Sequence, residues 1–369
     1  MTRILSMMTM IKRRLVSLAG GCLWLGLLAG CTATKPASKT VYTFFPPSPD
    51  EPRIQFLTSF SSDAELGRTR SFADFITGEQ PVGGLVKPYG LALHDGKVFV
   101  CDTVGSMIEV FDLKRHRASY FAPPGEGKLR TPINLAIDTD GTRYVADTGR
   151  NQVVIYDAAG NFISAIGKKD ELKPADVAVS TNRIYVGDML NHVVRVYNKA
   201  DQQFLFTIPN TNSVAANAAK LFSPANLALD QNGRLLVSDV GGFRVQIYDL
   251  DGKYLRTLGQ QGLAPGSFAR PKGVAVDHQG LAYVVDAATQ LVQIFDPEGR
   301  LLLYFGQPGA STRGQLVLPA SIKVDYDHVG YFQKYLAPGY QCEYLILVTS
   351  QFGPDKVSVY GFLKRPATP

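Results

Sequence analysis

Three oxygen-bearing side chains recur at one position of a repeated unit. Asn134, Asp176 and Asn226 each stand two residues after a proline that opens the unit. Carboxylate and carboxamide oxygens converging from neighbouring units would seat a hard cation such as Ca²⁺, which takes about six to eight oxygen ligands. One carboxylate is few for a tight site. The same side chains would also satisfy backbone groups at a strand start or line a wet channel. A second set lies just before the same prolines, where Lys87, Lys173 and Arg270 alternate with Thr131, Ser223 and Leu318. Three cations around a ring would hold an anionic ligand or an acidic partner surface. Taken singly, they read as solvated loop residues.

Other chemistry is thin. The histidines His94, His116, His192, His278 and His328 form no short-spaced pair. There is no zinc, haem, phosphate-loop or nucleophile-elbow motif, so no catalytic residue is assigned. Asp102, Asp147, Asp188, Asp239 and Asp286 recur at a fixed place. Such regularity points to a structural role, with each Asp bonding backbone in the following turn.

The elements that must position these residues form a six-fold repeat. Its anchors are Pro88, Pro132, Pro174, Pro224, Pro271 and Pro319, spaced by 44, 42, 50, 47 and 48 residues. The fourth unit is clearest. "NLALD" from Asn226, "RLLVSD" from Arg234, "RVQIYD" from Arg244 and "KYLRTLG" from Lys253 read as four strands, separated by Gly, Asn and Asp turns. Four strands in about 40–50 residues, repeated, predict a β-propeller. The sixth unit departs from the pattern. It has Thr349 and Ser350 where the Asp should fall, an aromatic insertion at 326–341, and no fourth strand of its own. The insertion serves equally as a contact surface or as packing over the edge of the sixth blade. "RIQFLTSF" (53–60) has the alternation of a fourth strand, so it is expected to pair onto unit six and close the ring. The expectation is an all-β, six-bladed propeller of four-stranded antiparallel blades over residues 53–365.

The Pro-x-Gly/Asn-Val/Leu-Ala opening, the "YVAD" strand end and "NHVVRVY" at 191–197 resemble the NHL-repeat family of six-bladed propellers. That family includes binding scaffolds and a few enzymes. The resemblance implies that its lyase branch would bind zinc through channel histidines. The corresponding positions here are Gly90, Asn134, Asp176, Asn226, Gly273 and Ser321, which argues against a zinc lyase. Related calcium-dependent lactonases place a divalent ion in the channel, which keeps Asn134, Asp176 and Asn226 open as ligands.

The N-terminus is a different kind of sequence. Lys12, Arg13 and Arg14 precede an apolar run from Leu15 to Leu28 that ends in "LLAGC". The run is too short for an ordinary span but fits a signal peptide, and its end resembles a bacterial lipobox. The resemblance implies cleavage after residue 30 and acylation of Cys31. By the same analogy, Thr32 favours the outer membrane. Residues 31–52, with Pro46, Pro47, Pro49 and Pro52, read as an extended tether.

Charge and cysteines agree with export. The chain carries +6, but the first 30 residues hold four basic residues and no acidic ones, leaving 34 basic against 32 acidic. A basic pI therefore does not imply nucleic-acid binding. Cys101 and Cys342 should fall on opposite faces of the propeller, beyond disulfide range. The sequence reading is a lipid-anchored outer-membrane propeller that binds a protein, peptide or glycan partner in an envelope complex, with no obligatory cofactor. The alternative is a lactonase-like hydrolase or lyase with a divalent metal in the channel.

Overall fold

The computed structural model describes residues 41–67, 83–209 and 219–364. Six antiparallel sheets form a ring. Blade one runs Pro88–His94, Lys97–Asp102, Met107–Asp112 and Arg117–Phe121, and the next four blades repeat this order. First strands of successive blades touch all the way round, and blade six meets blade one. They therefore wall a central channel. Second and third strands are buried along nearly their whole length, as in Arg234–Asp239 and Arg244–Asp249. Each blade packs both faces against its neighbours, which explains why these strands are apolar runs rather than strict alternations. Fourth strands such as Tyr254–Leu258 lie at the rim and stay partly exposed.

The repeated aspartates are clamps. Asp147 accepts Arg130 N (2.7 Å) and Thr131 N (2.9 Å) from the connection entering its blade. It also accepts Gly149 N and Arg150 N from the turn that follows it. Asp102 binds Val86 N, Val104 N and Gly105 N in the same way. Asp286 binds Ala269 N, Arg270 N, Ala288 N and Thr289 N. The sequence suggested the turn half of this device. The other half, which pins the incoming chain just before the anchoring prolines of blades one to five, ties each connection to the blade it enters. Each clamped turn also holds one residue with positive φ: Ser106, Asn151, His192, Phe243 and Gln290 lie between 54° and 58°. His192 is exposed there, so its place in the "NH" string is a backbone position.

Blade six is completed by Ile54–Phe60, which pairs antiparallel with Val357–Leu363. A further strand, Thr43–Phe45, pairs with Ile54–Phe56 and makes this sheet five-stranded. That strand falls in the stretch read as tether, where prolines masked its short alternation. Thr349 and Ser350 replace the clamp: Ser350 Oγ accepts Val317 N at 3.3 Å, and Thr349 Oγ1 accepts Ser321 N while donating to the carbonyl of Tyr89. The insertion packs over the seam. It forms a 3-10 helix, Val329–Tyr335, with Phe332 buried. Gln55 joins it to the closing strand through Tyr335 O and Ala337 N. His328 Nδ1 bonds Asp325, and Nε2 accepts Gly96 N of blade one. Cys101 and Cys342 are buried free thiols.

Replacing a clamp orphans several backbone donors at once. Asp147→Ala should lower the unfolding free energy by about 3–5 kcal/mol, and Asp147→Asn, which keeps one acceptor oxygen, by less. Guanidinium titration of the variants checks this. Equal midpoints for Asp147→Ala and wild type would contradict the clamp.

Candidate functional site

The first strands pack closely in a waist just inside the channel mouth. A Cβ on Gly90 would lie 2.0 Å from Asn134 Oδ1, and one on Gly273 would lie 2.8 Å from Ser321 Cα and Ile322 N. Glycine stands at these positions because the neighbouring blade leaves no space. Asn134, Asp176 and Asn226 all sit in this waist, each at most 2 % exposed.

The structure brings two of the three together. Asp176 accepts Val177 N and Leu227 N, both at 2.8 Å, and Asn226 Nδ2 at 3.3 Å. It therefore ties blade three to blade four. Asn134 Oδ1 accepts Leu135 N of its own strand. Asn226 Oδ1 has no hydrogen-bond partner. Among the described residues, no group of three or more His, Cys, Asp and Glu is arranged to hold a metal ion. A cation bound here would rely on Asp176, whose oxygens already serve backbone donors, and on carboxamide oxygens. That donor set is poor for Ca²⁺.

Beyond the waist lies a cavity of about 290 Å³. Ala92, Ala136, Ala178, Ala228 and Ala275 contribute the same small side chain from five blades, and Lys323 replaces it in the sixth. The alanine belongs to the opening motif, so the wall was legible, but its significance depends on which face of the strand looks inward. Burial pushes the Asp176 carboxyl up to about 6, while the positive charge of Lys323 and the backbone hydrogen bonds oppose this.

At the mouth, the three cations singled out by spacing are held by clamps. Lys87 N bonds Asp102, Lys173 N bonds Asp188 at 3.0 Å, and Arg270 N bonds Asp286. Lys173 and Arg270 are exposed, and Lys87 Nζ lies 5.7 Å from the Phe352 ring centroid. On the same face, Lys128, Arg130, Arg150, Lys168 and Lys169 line an open cleft of about 500 Å³. The opposite face mixes exposed acids such as Asp140, Asp201 and Asp251 with the exposed Lys114 and Arg115. Sequence reasoning missed Lys272 and Tyr89, because they belong to a residue position with no repeated chemistry. Lys272 is 6 % exposed, and its Nζ lies 4.8 Å from the Tyr89 ring centroid.

The fold defines a six-bladed β-propeller. No protein-family model matches the chain. Protein brain tumor of Drosophila melanogaster is 28% identical over 166 residues, which is 40% of this chain and 15% of that protein. The chain thus spans only a small part of that relative. A gluconolactonase from Xanthomonas campestris has 15% identity and a TM-score of 0.54, over 85% of this chain and 90% of its own. A virginiamycin B lyase from Staphylococcus aureus has 14% identity and a TM-score of 0.52, over 74% of this chain and 94% of its own. A Bacteroides thetaiotaomicron protein of unknown function has 16% identity and a TM-score of 0.56, over 84% and 75%. At such identities the likeness is one of fold.

Asp176 makes stability depend on pH. Its folded pKa of about 6 lies above the unfolded value of about 3.9, so folding favours the protonated form. This contribution is complete below pH 4 and is lost as pH rises through 6, amounting to roughly 3 kcal/mol. Asp176→Asn should remove that part of the pH dependence. Parallel slopes of unfolding free energy between pH 4 and 6 in wild type and variant would refute it.

Proposed function

We propose that this chain is a lipid-anchored envelope propeller that binds an acidic protein, peptide or glycan partner on its channel-mouth face. The observation that carries the reading is the set of mouth cations whose backbone is locked by buried aspartates: Lys87 by Asp102, Lys173 by Asp188 and Arg270 by Asp286. Loops on a rigid scaffold hold their charges in place before binding, which lowers the ordering cost of association. The cleft beside them, with five cations against the single carboxylate of Glu126, widens the same positive field. Anchoring rests on the lipobox-like "LLAGC" ending at Cys31, which lies outside the described residues, as does the rest of the signal-like segment.

The binding reading predicts a salt-dependent interaction with a model polyanion, hexaglutamate. Reversing Lys87, Lys173 and Arg270 to Glu should weaken it at least tenfold at low salt, with a smaller effect at high salt. Fluorescence anisotropy with labelled peptide measures this, and affinity independent of both salt and charge reversal would sink the reading. Anchoring is tested separately. Cys31→Ser should release the protein from membranes and abolish incorporation of labelled fatty acid; a variant that still labels would remove the anchor from the proposal.

A second reading is favoured by the buried Asp176. A channel carboxyl with a pKa of about 6 is suited to proton transfer near neutral pH, and two solved structures of the same fold are a virginiamycin B lyase and a gluconolactonase. Asn134, Asp176 and Asn226 would be the oxygen ligands of any divalent ion there. Elemental analysis of the purified full chain decides between the two. A stoichiometric divalent ion that is lost in Asp176→Ala would favour the enzyme.

A further inference from the structure

Among the described residues at the mouth, Lys272 is a cation taken from water with no carboxylate in an ion pair with it. It follows Pro271 on the first strand of blade five and is 6 % exposed. Its ammonium faces the ring of Tyr89 on blade one. The charged groups that act on it are Arg270 and Lys87, both cations. No described carboxylate forms an ion pair with it. Asp176 acts on the Tyr89 ring from the channel side, against Arg270, and is itself influenced by Lys323. Burial, with Arg270 and Lys87 adding to it, brings the amine down to about 8. Removing an ammonium from water without a partner is costly, and cation–π contact with Tyr89 returns only part of that cost.

We propose that Lys272, flanked by Lys87 and Arg270 and backed by the Tyr89 ring, is a receptor for a single carboxylate group presented at the channel mouth. A carboxylate fits better than a phosphate. The nearby backbone amides of Lys87 and Arg270 are already committed to Asp102 and Asp286, so the site has few free donors for the several oxygens of a phosphate. Tyr89 supplies a flat apolar wall for whatever carries the acid. The proposal rests on the reading of the mouth as an anion-binding face and names the group that enters deepest.

Two variants and two probes test it. Acetate stands for a free organic acid and hexaglutamate for an acidic peptide, with sodium phosphate as the competing anion. In wild type, carboxylate affinity should fall about tenfold per pH unit above pH 8, as the free amine loses its proton. Lys272→Met should lose affinity for both carboxylate probes at least tenfold and should unfold at a temperature no lower than wild type, because a buried charge has been removed. Lys272→Arg should keep binding but lose the inflection near pH 8. If acetate competes with hexaglutamate, the peptide side chain is the group seated; if acetate alone binds, the site serves a free acid. Hexaglutamate binding that is salt-dependent but identical in wild type and Lys272→Met would overturn the Lys272 site while leaving the basic-face reading intact. Failure of wild type to bind either carboxylate would overturn both, and tighter Lys272-dependent binding of phosphate would overturn the carboxylate assignment.

Discussion

A single buried carboxylate in each of blades one to five holds this propeller together. Each aspartate at a second-strand end gathers backbone donors from two chain segments that are far apart in sequence, the connection entering the blade and the turn leaving the strand. Charge-assisted bonds of this kind are among the stronger ones available to a buried backbone. They also tie the connection entering each of these blades, where no sheet ladder exists. The fold's register and the position of its cation-bearing loops therefore depend on the same atoms.

That coupling explains where the positive face comes from. Residues just before the anchoring prolines cannot wander, since their amides end on Asp102, Asp188 or Asp286. A lysine or arginine placed there is a charge at a fixed address. The clamps are themselves buried and hydrogen-bonded, so their negative charge is spent internally while the cations remain outside. Lys272 lies one residue beyond an anchoring proline and inherits the same fixed position.

Blade six shows what the clamp's absence requires. Ser350 and Thr349 recover only part of the hydrogen bonding. The deficit is met by other means: a closing strand from the N-terminal side, an added strand at Thr43–Phe45, and an aromatic insertion stapled by Gln55 and His328. The insertion packs over the seam, while its Tyr331 and Tyr340 remain exposed.

Much of this was legible in the residues themselves. Strand lengths, blade number and ring closure follow from proline spacing, turn chemistry and the alternation of "RIQFLTSF", because period and polarity are local properties of the chain. The cations at Lys87, Lys173 and Arg270 were visible for the same reason. Spacing also placed Asn134, Asp176 and Asn226 at equivalent positions, but equivalence is not contact. Only the packed ring decided that Asp176 meets Asn226 and Leu227 while Asn134 turns to its own strand. The burial of Lys272 against Tyr89 was likewise invisible, since those residues are 183 positions apart and share no motif. The sequence determined the blade; the distance between blades, set by side-chain packing and the clamps, decided which charges were left without a partner.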